Sequence, residues 1–525
     1  MAEPDDELHN PRNADAHSNA INLRGLLNVL TLALIGGGLL TLFMGYPIIS
    51  HFTAKVESTK GAFNLGGTNG TGQVATFPGQ RRLVDPDTPP AAQKWTGALG
   101  DYHVVFSDEF ETEGRTFWPG DDPFWEAVDI WYGATGDYEW YSPEAVNTTG
   151  GALTITLLEM ETHALNFRSG MLQSWNKVSA SGGGYIEFAI MMPGTQRTSG
   201  YWPAAWTMGN LGRPGYLGST AGMWPYSYPA ACDTGILPNQ TWTNGTGPDR
   251  AIHSTGEYQN PKGQLSTLPG MRTPACTCPG EDHPGPNHNV GRSSPEIDVL
   301  EAQVQTHAGE THVWASQSLQ TAPFDDDYFW GNTSDVVDLN AARGDQTRIN
   351  DYVGGPLQES VSALSQCPDT GFTGTQQKYI RYGMEYSPDW DANGKGEVTW
   401  YVDGERTWTV KGAAIGPVPK LDISQRTVPT EPMSIIMNLG VSPQFQTVDL
   451  TSGTPRQLVF PAQMKVDYVR LYQLDGQPER LSCDPDDHPT AKYIEDHKVL
   501  YMNPNVTTYE AGGFKTVKNR LKDGC

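Results

Sequence analysis

The sequence predicts an all-β fold, an antiparallel β-sandwich with long loops, behind a single N-terminal transmembrane helix. Three observations predict it. Gly (58) and Pro (39) are abundant, aromatics make up 10%, and only 18% of the 525 residues are charged. That composition suits short strands joined by turns better than a helical bundle. From Asp101 onward, short alternating or apolar runs alternate with turn residues, and no long amphipathic helix separates them. This argues against a parallel βαβ sheet. One uncharged stretch near the N-terminus is long enough to cross a bilayer. The formal charge of −25 excludes a nucleic-acid partner, which would need a basic face. So many rings are also incompatible with disorder.

Taken in order, residues 1–24 form a short polar tail. Residues 25–49, GLLNVLTLALIGGGLLTLFMGYPII, carry no charge over 25 positions. A cleaved signal peptide would have a shorter apolar region and a small-residue cleavage site, and neither is present. The reading is an uncleaved signal anchor. Basic residues flank the span too evenly to orient it. The glycosylation acceptors Asn69, Asn147, Asn239, Asn244, Asn332 and Asn505 all follow it, as do all six cysteines. Both features suit an oxidising compartment. They place the tail in the cytosol and the bulk of the chain in the secretory lumen or outside the cell. Residues 50–100, rich in Gly, Thr and Pro, read as a stem. Arg81-Arg82 within it is either exposed charge or a processing site.

Residues 101–473 read as one large domain. HVVFSDEF (103–110), ALTITLLE (152–159), GYIEFAIMM (184–192), EVTWYVDG (397–404) and KVDYVRLYQ (465–473) are expected strands. The segment 295–303, PEIDVLEAQ, carries the chemistry. Side chains alternate faces along a strand, so Glu296 and Asp298 share one face while Ile297 and Val299 enter the core. Strict alternation would bury Glu301, which is costly for an unpaired carboxylate. A β-bulge at Val299–Leu300 would return Glu301 to the face of Glu296. Carboxylates so paired suit retaining glycoside hydrolysis, in which the two groups lie about 5–5.5 Å apart. An exposed acidic strand edge and a calcium site are the alternatives that spacing alone leaves open.

The segment resembles the catalytic strand of glycoside hydrolase family 16, β-jelly-roll (concanavalin-like) enzymes that cleave or transfer β-glucans. FSDEFE (106–111), YWPAAWTMG (201–209) and VDYVRLYQ (466–473) resemble that family's other landmarks in order. NFRSGMLQSWNK (166–177), GNLGRPGYLGSTAGMWPYSY (209–228) and SQSLQTAPFD (316–325) are similar to the fungal β-1,6-glucan synthesis-associated proteins. The resemblance implies a type II membrane glycoprotein of the endoplasmic reticulum, Golgi and plasma membrane that acts on β-glucan in cell-wall biogenesis. It also implies that Glu296 is the nucleophile, Asp298 its assistant and Glu301 the general acid/base. Trp202 and Trp206 fall on the cleft strand and Trp175 on its neighbour, as substrate-stacking candidates against a core role. The acids Asp108 and Glu109 are implied to be structural. No cofactor and no metal are implied.

Residues 210–294 form an insertion where simpler relatives have a short loop, which leaves room for transglycosylation as well as hydrolysis. Cys276-x-Cys278 with His283 and His288 mimics a zinc set, but an oxidising lumen favours disulfides. Cys232, Cys276, Cys278 and Cys367 allow three pairings. Arg343-Gly344-Asp345 is a chance motif, and Asp325, Asp326 and Asp327 read as a solvated loop. The extension 474–525 is too short for a large core of its own and is expected to pack on the sandwich, held by a Cys483–Cys525 disulfide. Three functions remain in play: a membrane-anchored β-glucan glycosidase or transglycosylase, a glucan-binding scaffold, and a plain endo-β-1,3-glucanase.

Overall fold

The computed structural model describes residues 23–53, 83–255 and 263–525. The chain divides into two units, residues 1–58 and 59–525. The polar tail up to residue 22, the sequon at Asn69 and the pair Arg81-Arg82 lie outside the described residues. In the first unit, the chain is helical over Leu23–Leu40 and Tyr46–Thr53, joined by a π-helical turn at Thr41–Gly45. Gly25–Ser50, 26 residues of mean hydropathy 2.1, is long and apolar enough to cross a membrane, and none of it is buried in protein.

The second unit is a two-sheet, jelly-roll-like sandwich, with 13 strands in one sheet and 10 in the other. The pairing is antiparallel except between Glu139–Tyr141 and Leu165–Ser169. All five expected strands form, at Asp101–Asp108, Leu153–Thr162, Gly184–Met191, Glu397–Val402 and Ala462–Leu474, and all belong to the first sheet. Gly184–Met191 shows why the sequence folds this way. It pairs on both sides, so all its residues are buried. Ile186, Phe188 and Ile190 enter the core between the sheets. Tyr185 and Glu187 take the outer face, where the Tyr185 hydroxyl donates to Glu187 Oε2 at 2.6 Å. The second sheet runs through Gln358–Gln366, Glu310–Thr321, Glu296–His307, Trp202–Gly209, Met433–Gly440 and Met171–Gln173.

Buried charges are paired where loops meet the sandwich, because an isolated one could not be desolvated. Asp108 accepts from Arg115 and Glu109 from Arg470, so both acids of the first-strand motif hold structure. Fully buried Arg292 clasps Glu431 with two nitrogens, at 2.9 and 2.8 Å. The solvated-loop reading of residues 325–327 needs correction. Asp325 is buried and bonded to Arg426, which also donates to Glu359 at 2.9 Å, while Asp326 and Asp327 pair with Arg250. Five of the sequons are described. Asn147, Asn244, Asn332 and Asn505 are exposed, and Asn239 is half-buried.

The expected Cys483–Cys525 bond does not form. The disulfides are Cys232–Cys276 and Cys278–Cys525, and Cys483 and Cys367 are buried thiols. Cys483 lies against the sheet, where Ser179 Oγ donates to its sulfur at 3.1 Å. The extension continues past it to the insertion. There the Cys278 amide donates to the Lys518 carbonyl at 3.0 Å and the Arg520 amide to the Cys276 carbonyl at 2.9 Å. That pairing brings Cys525 to Cys278, with Cα atoms 5.8 Å apart. Non-reducing peptide mapping should recover both bonds, with Cys483 alkylated only after unfolding. Replacing Cys278 and Cys525 by Ser should cost about 3–5 kcal/mol in denaturant unfolding. A Cys483–Cys525 peptide would overturn the assignment.

Candidate active site

The site begins with a register shift. On one side of the strand Glu296–His307, Glu296 faces Met208, Ile297 faces Thr207 and Asp298 faces Trp206; then Leu300 faces Ala205 and Glu301 faces Ala204. On the other side, Glu296, Asp298 and Glu301 face Gln320, Ser318 and Ser316, with the shift between Asp298 and Glu301. One extra residue therefore sits at Val299–Leu300, where the sequence required it. Ile297, Val299 and Leu300 are all fully buried in the main core. Glu296, Asp298 and Glu301 are turned to the other face together. The Asp298 carbonyl accepts from Trp400 Nε1 of the first sheet at 2.8 Å, and the Ile297 carbonyl accepts from Thr207 Oγ1 at 3.0 Å.

Each carboxyl has its own donors. Trp224 Nε1 donates to Glu296 Oε2 at 2.6 Å, and Trp202 Nε1 donates to Glu301 Oε1 at 3.1 Å. Ser318 Oγ and Gln320 Nε2 both donate to Asp298 Oδ2 at 3.0 Å. Asp298 Oδ1 is buried and has no hydrogen-bond partner among the described residues, and the Glu296 and Asp298 carboxyls perturb each other's protonation. Burial raises the pKa of all three. Glu296 is held well above the ordinary carboxylate range by burial, then by the charges of Asp298 and Glu301, against the pull of the Trp224 hydrogen bond. Glu301 is raised by burial and by Asp298, against the Trp202 hydrogen bond. Asp298, also raised by burial but bonded by Gln320 and Ser318, reaches only about 6. A cluster of this kind keeps at least one carboxyl protonated at neutral pH beside another that is ionised.

The three tryptophan candidates separate. Trp202 is half-buried, stacked on Phe445 with centroids 4.1 Å apart, and bonded to Glu301. Trp206 lies on the carboxyl face and donates to Asn438 Oδ1 at 2.8 Å. Trp175 is not part of this surface. The C-terminal extension covers it with Ile494, Leu500, Tyr501 and Tyr509, and its indole nitrogen donates to the Asn210 carbonyl.

Sequence reasoning missed two groups. Trp224 arrives from the insertion. A second acidic pair, Asp137 and Glu139, lies at the end of a hydrogen-bond chain from Trp206. Asn438 Nδ2 donates to Tyr141 Oη at 3.1 Å, and Tyr141 donates to Asp137 Oδ2 at 3.1 Å. Burial pushes Asp137 up to about 6, and burial and then the Asp137 charge hold Glu139 well above the ordinary carboxylate range. Gly440 permits the approach, since a Cβ there would stand 3.0 Å from the Tyr141 hydroxyl. Tyr132 feels both acid groups, and its hydroxyl is pushed up by burial and then by Glu296, Asp137, Glu301 and Asp298. The alternation D-Y-E-W-Y at 137–141 was the available signal.

A family model described as "Beta-glucan synthesis-associated protein SKN1/KRE6/Sbg1" matches residues 1–525. The chain is 43% identical over 446 residues to the β-glucan synthesis-associated protein KRE6 of Saccharomyces cerevisiae, covering 84% of this chain and 56% of that protein. It is 39% identical over 550 residues to SKN1 of the same yeast, covering 100% of this chain and 66% of that protein. This chain thus spans a little over half to two thirds of their length. Among solved structures, an endo-β-1,3-glucanase from Pyrococcus furiosus superposes with a TM-score of 0.37 at 16% identity, over 72% of this chain and 97% of that one. With the family match running the whole length of the sequence, the chain belongs to the SKN1/KRE6/Sbg1 family of β-glucan synthesis-associated proteins.

Proposed function

We propose that this chain is a retaining β-glucan glycosidase or transglycosylase, anchored in the membrane, that acts in cell-wall β-1,6-glucan synthesis. The observation that carries the reading is the bulge, which sets Glu296 and Glu301 on one face with Asp298 between them. Glu301, its proton held by burial and by the Asp298 charge, protonates the glycosidic oxygen as the bond breaks. Glu296, kept protonated by burial, passes its proton to Asp298 as it attacks the anomeric carbon, and a covalent glycosyl-enzyme forms. Glu301, now a base, takes a proton from the incoming water or sugar hydroxyl, which releases a hydrolysed or transferred product. Trp202 and Trp206 border this centre with an indole each. The apolar helix supports a single-pass anchor, and the sequons beyond it support a lumenal site.

The test is product analysis with detergent-purified full-length protein and defined β-1,3- and β-1,6-linked gluco-oligosaccharides. Glu296→Gln should lower turnover by at least about 10³-fold and prevent trapping of a glycosyl-enzyme by a fluorinated substrate. Glu301→Gln should cost about 10²–10⁴-fold on glucan yet spare activated aryl glycosides, which need little protonation. Full activity of the Glu296→Gln variant would refute the assignment.

The acid–base balance fixes the pH profile. Activity requires one negative charge on the Glu296–Asp298 pair and a proton on Glu301. It should rise as pH climbs through about 6, following Asp298, and fall once Glu301 is deprotonated. Asp298→Asn removes the charge that keeps the proton on Glu301, so the falling limb should move to lower pH. A falling limb left in place would contradict the coupling.

Topology is checked separately. In sealed microsomes, added protease should remove only about the first 24 residues, and glycosidase should lower the mass of the protected product. A protected N-terminus with a digested sandwich would reverse the orientation.

A further inference from the structure

The insertion and the extension do more than cover the sandwich. Residues 216–224 of the insertion form a short arm that ends at Trp224. Behind the arm lies the extension. The Gly218 amide donates to the Val506 carbonyl at 3.0 Å, and Met223 packs with Leu211 against Tyr493. Gly218 has no room for a side chain, since a Cβ would stand 2.6 Å from the Val506 oxygen. Arg272 braces the arm by donating to the carbonyls of Gly218 and Ala221, while its guanidinium lies 4.3 Å from the Tyr509 ring centroid. In front, the Ser294 amide donates to the Met223 carbonyl at 3.0 Å. That bond ties the residue before Trp224 to the chain two residues before Glu296. The far end of the extension is pinned to the same insertion by the Cys278–Cys525 bond.

We infer that Trp224 is a positioning residue for Glu296 and that the C-terminal extension is the back wall that holds it in place. This rests on the reading of Glu296 as nucleophile. An indole N–H has one donor and no acceptor, so Trp224 can serve only the ionised or acceptor side of the carboxyl. At 2.6 Å it holds one carboxyl oxygen of Glu296, Oε2, in place. The other titratable groups facing Glu296 are Asp298 and Glu301 on its own strand and Tyr132, and each of these bears a charge only when negative. Trp224 is thus the neutral donor that offsets an otherwise acidic surround. A strand site alone would not need a 52-residue tail. A site whose positioning donor stands on an irregular arm does need something behind it.

Trp224→Phe keeps the ring and removes the N–H. In the full-length protein, kcat/KM on gluco-oligosaccharide should fall about 10- to 100-fold, the scale of a hydrogen bond to a charged group. The rising limb of the pH profile should move up, because a carboxylate without its donor holds its proton to higher pH. The melting temperature should stay unchanged. Cys278→Ser with Cys525→Ser, which frees the wall but keeps the indole, should move the same limb in the same direction. A second readout needs no turnover. Tryptophan emission of the wild type should titrate with the acid cluster, and Trp224→Phe and Glu296→Gln should each lose the same part of that titration, Trp202 on Glu301 supplying the rest. Identical pH profiles for Trp224→Phe and wild type would overturn the positioning role, and an unmoved limb in the double Ser variant would overturn the back wall. A wild type inert on every glucan but showing the emission titration would sink the enzymatic reading alone and leave the contact standing.

Discussion

The structure around the acids depends on one extra residue in one strand. Without the shift at Val299–Leu300, either Leu300 would face water or Glu301 would lie in the core. A bulge interrupts the ladder and leaves backbone groups that must be satisfied elsewhere. The Asp298 carbonyl is one such group near the irregularity, and Trp400 answers it from the opposite sheet. Trp400 is in turn held by Trp408, stacked 4.5 Å away and nearly parallel. The position of a polar site on one face of the sandwich is therefore set by aromatic packing inside it.

Around that bulge the protein gathers more negative charge than water-excluded surroundings tolerate. Its solution is to hold carboxyl pKa values up, in Glu296 with Asp298 and in Asp137 with Glu139, and to supply neutral donors rather than cations. Arginines are used elsewhere, at Asp108, Glu431 and Glu359, where the task is to clamp loops. A cation beside Glu296 would have fixed its charge, whereas tryptophan, serine and glutamine donors leave it able to change.

What could be read from the sequence followed from regular repetition. Period-two runs gave the strands, and the cost of burying Glu301 gave the bulge, because both arguments are local. Trp175 could not be assigned that way. Its strand position suggested the cleft, but what covers it is a segment more than 300 residues later, and no local pattern encodes that contact. Trp224 was invisible for the opposite reason, since it sits in an aperiodic stretch rich in Gly and Pro. Gly222, at φ +71°, supplies the turn before it. Cysteine pairing failed on proximity in sequence. Cys483 and Cys525 bracket the extension, yet the backbone pairing of residues 276–278 with 518–520 decides which sulfurs meet.

The Cys278–Cys525 bond joins residues 247 apart in sequence. Separation alone does not make it late, since the first sheet already pairs Tyr102 with Leu474, but in synthesis the sandwich strands all precede the extension. The five first-sheet strands and the carboxylate strand can pair before it, but the arm that carries Trp224 gains its backing only when the extension has docked. Assembly is therefore ordered: the acids are in place first, and the surroundings that tune them are completed last. A chain caught between those stages would already have its strands and its charges but not the wall behind them. It is at this late step, rather than in the sandwich itself, that a finished molecule comes to differ from an unfinished one.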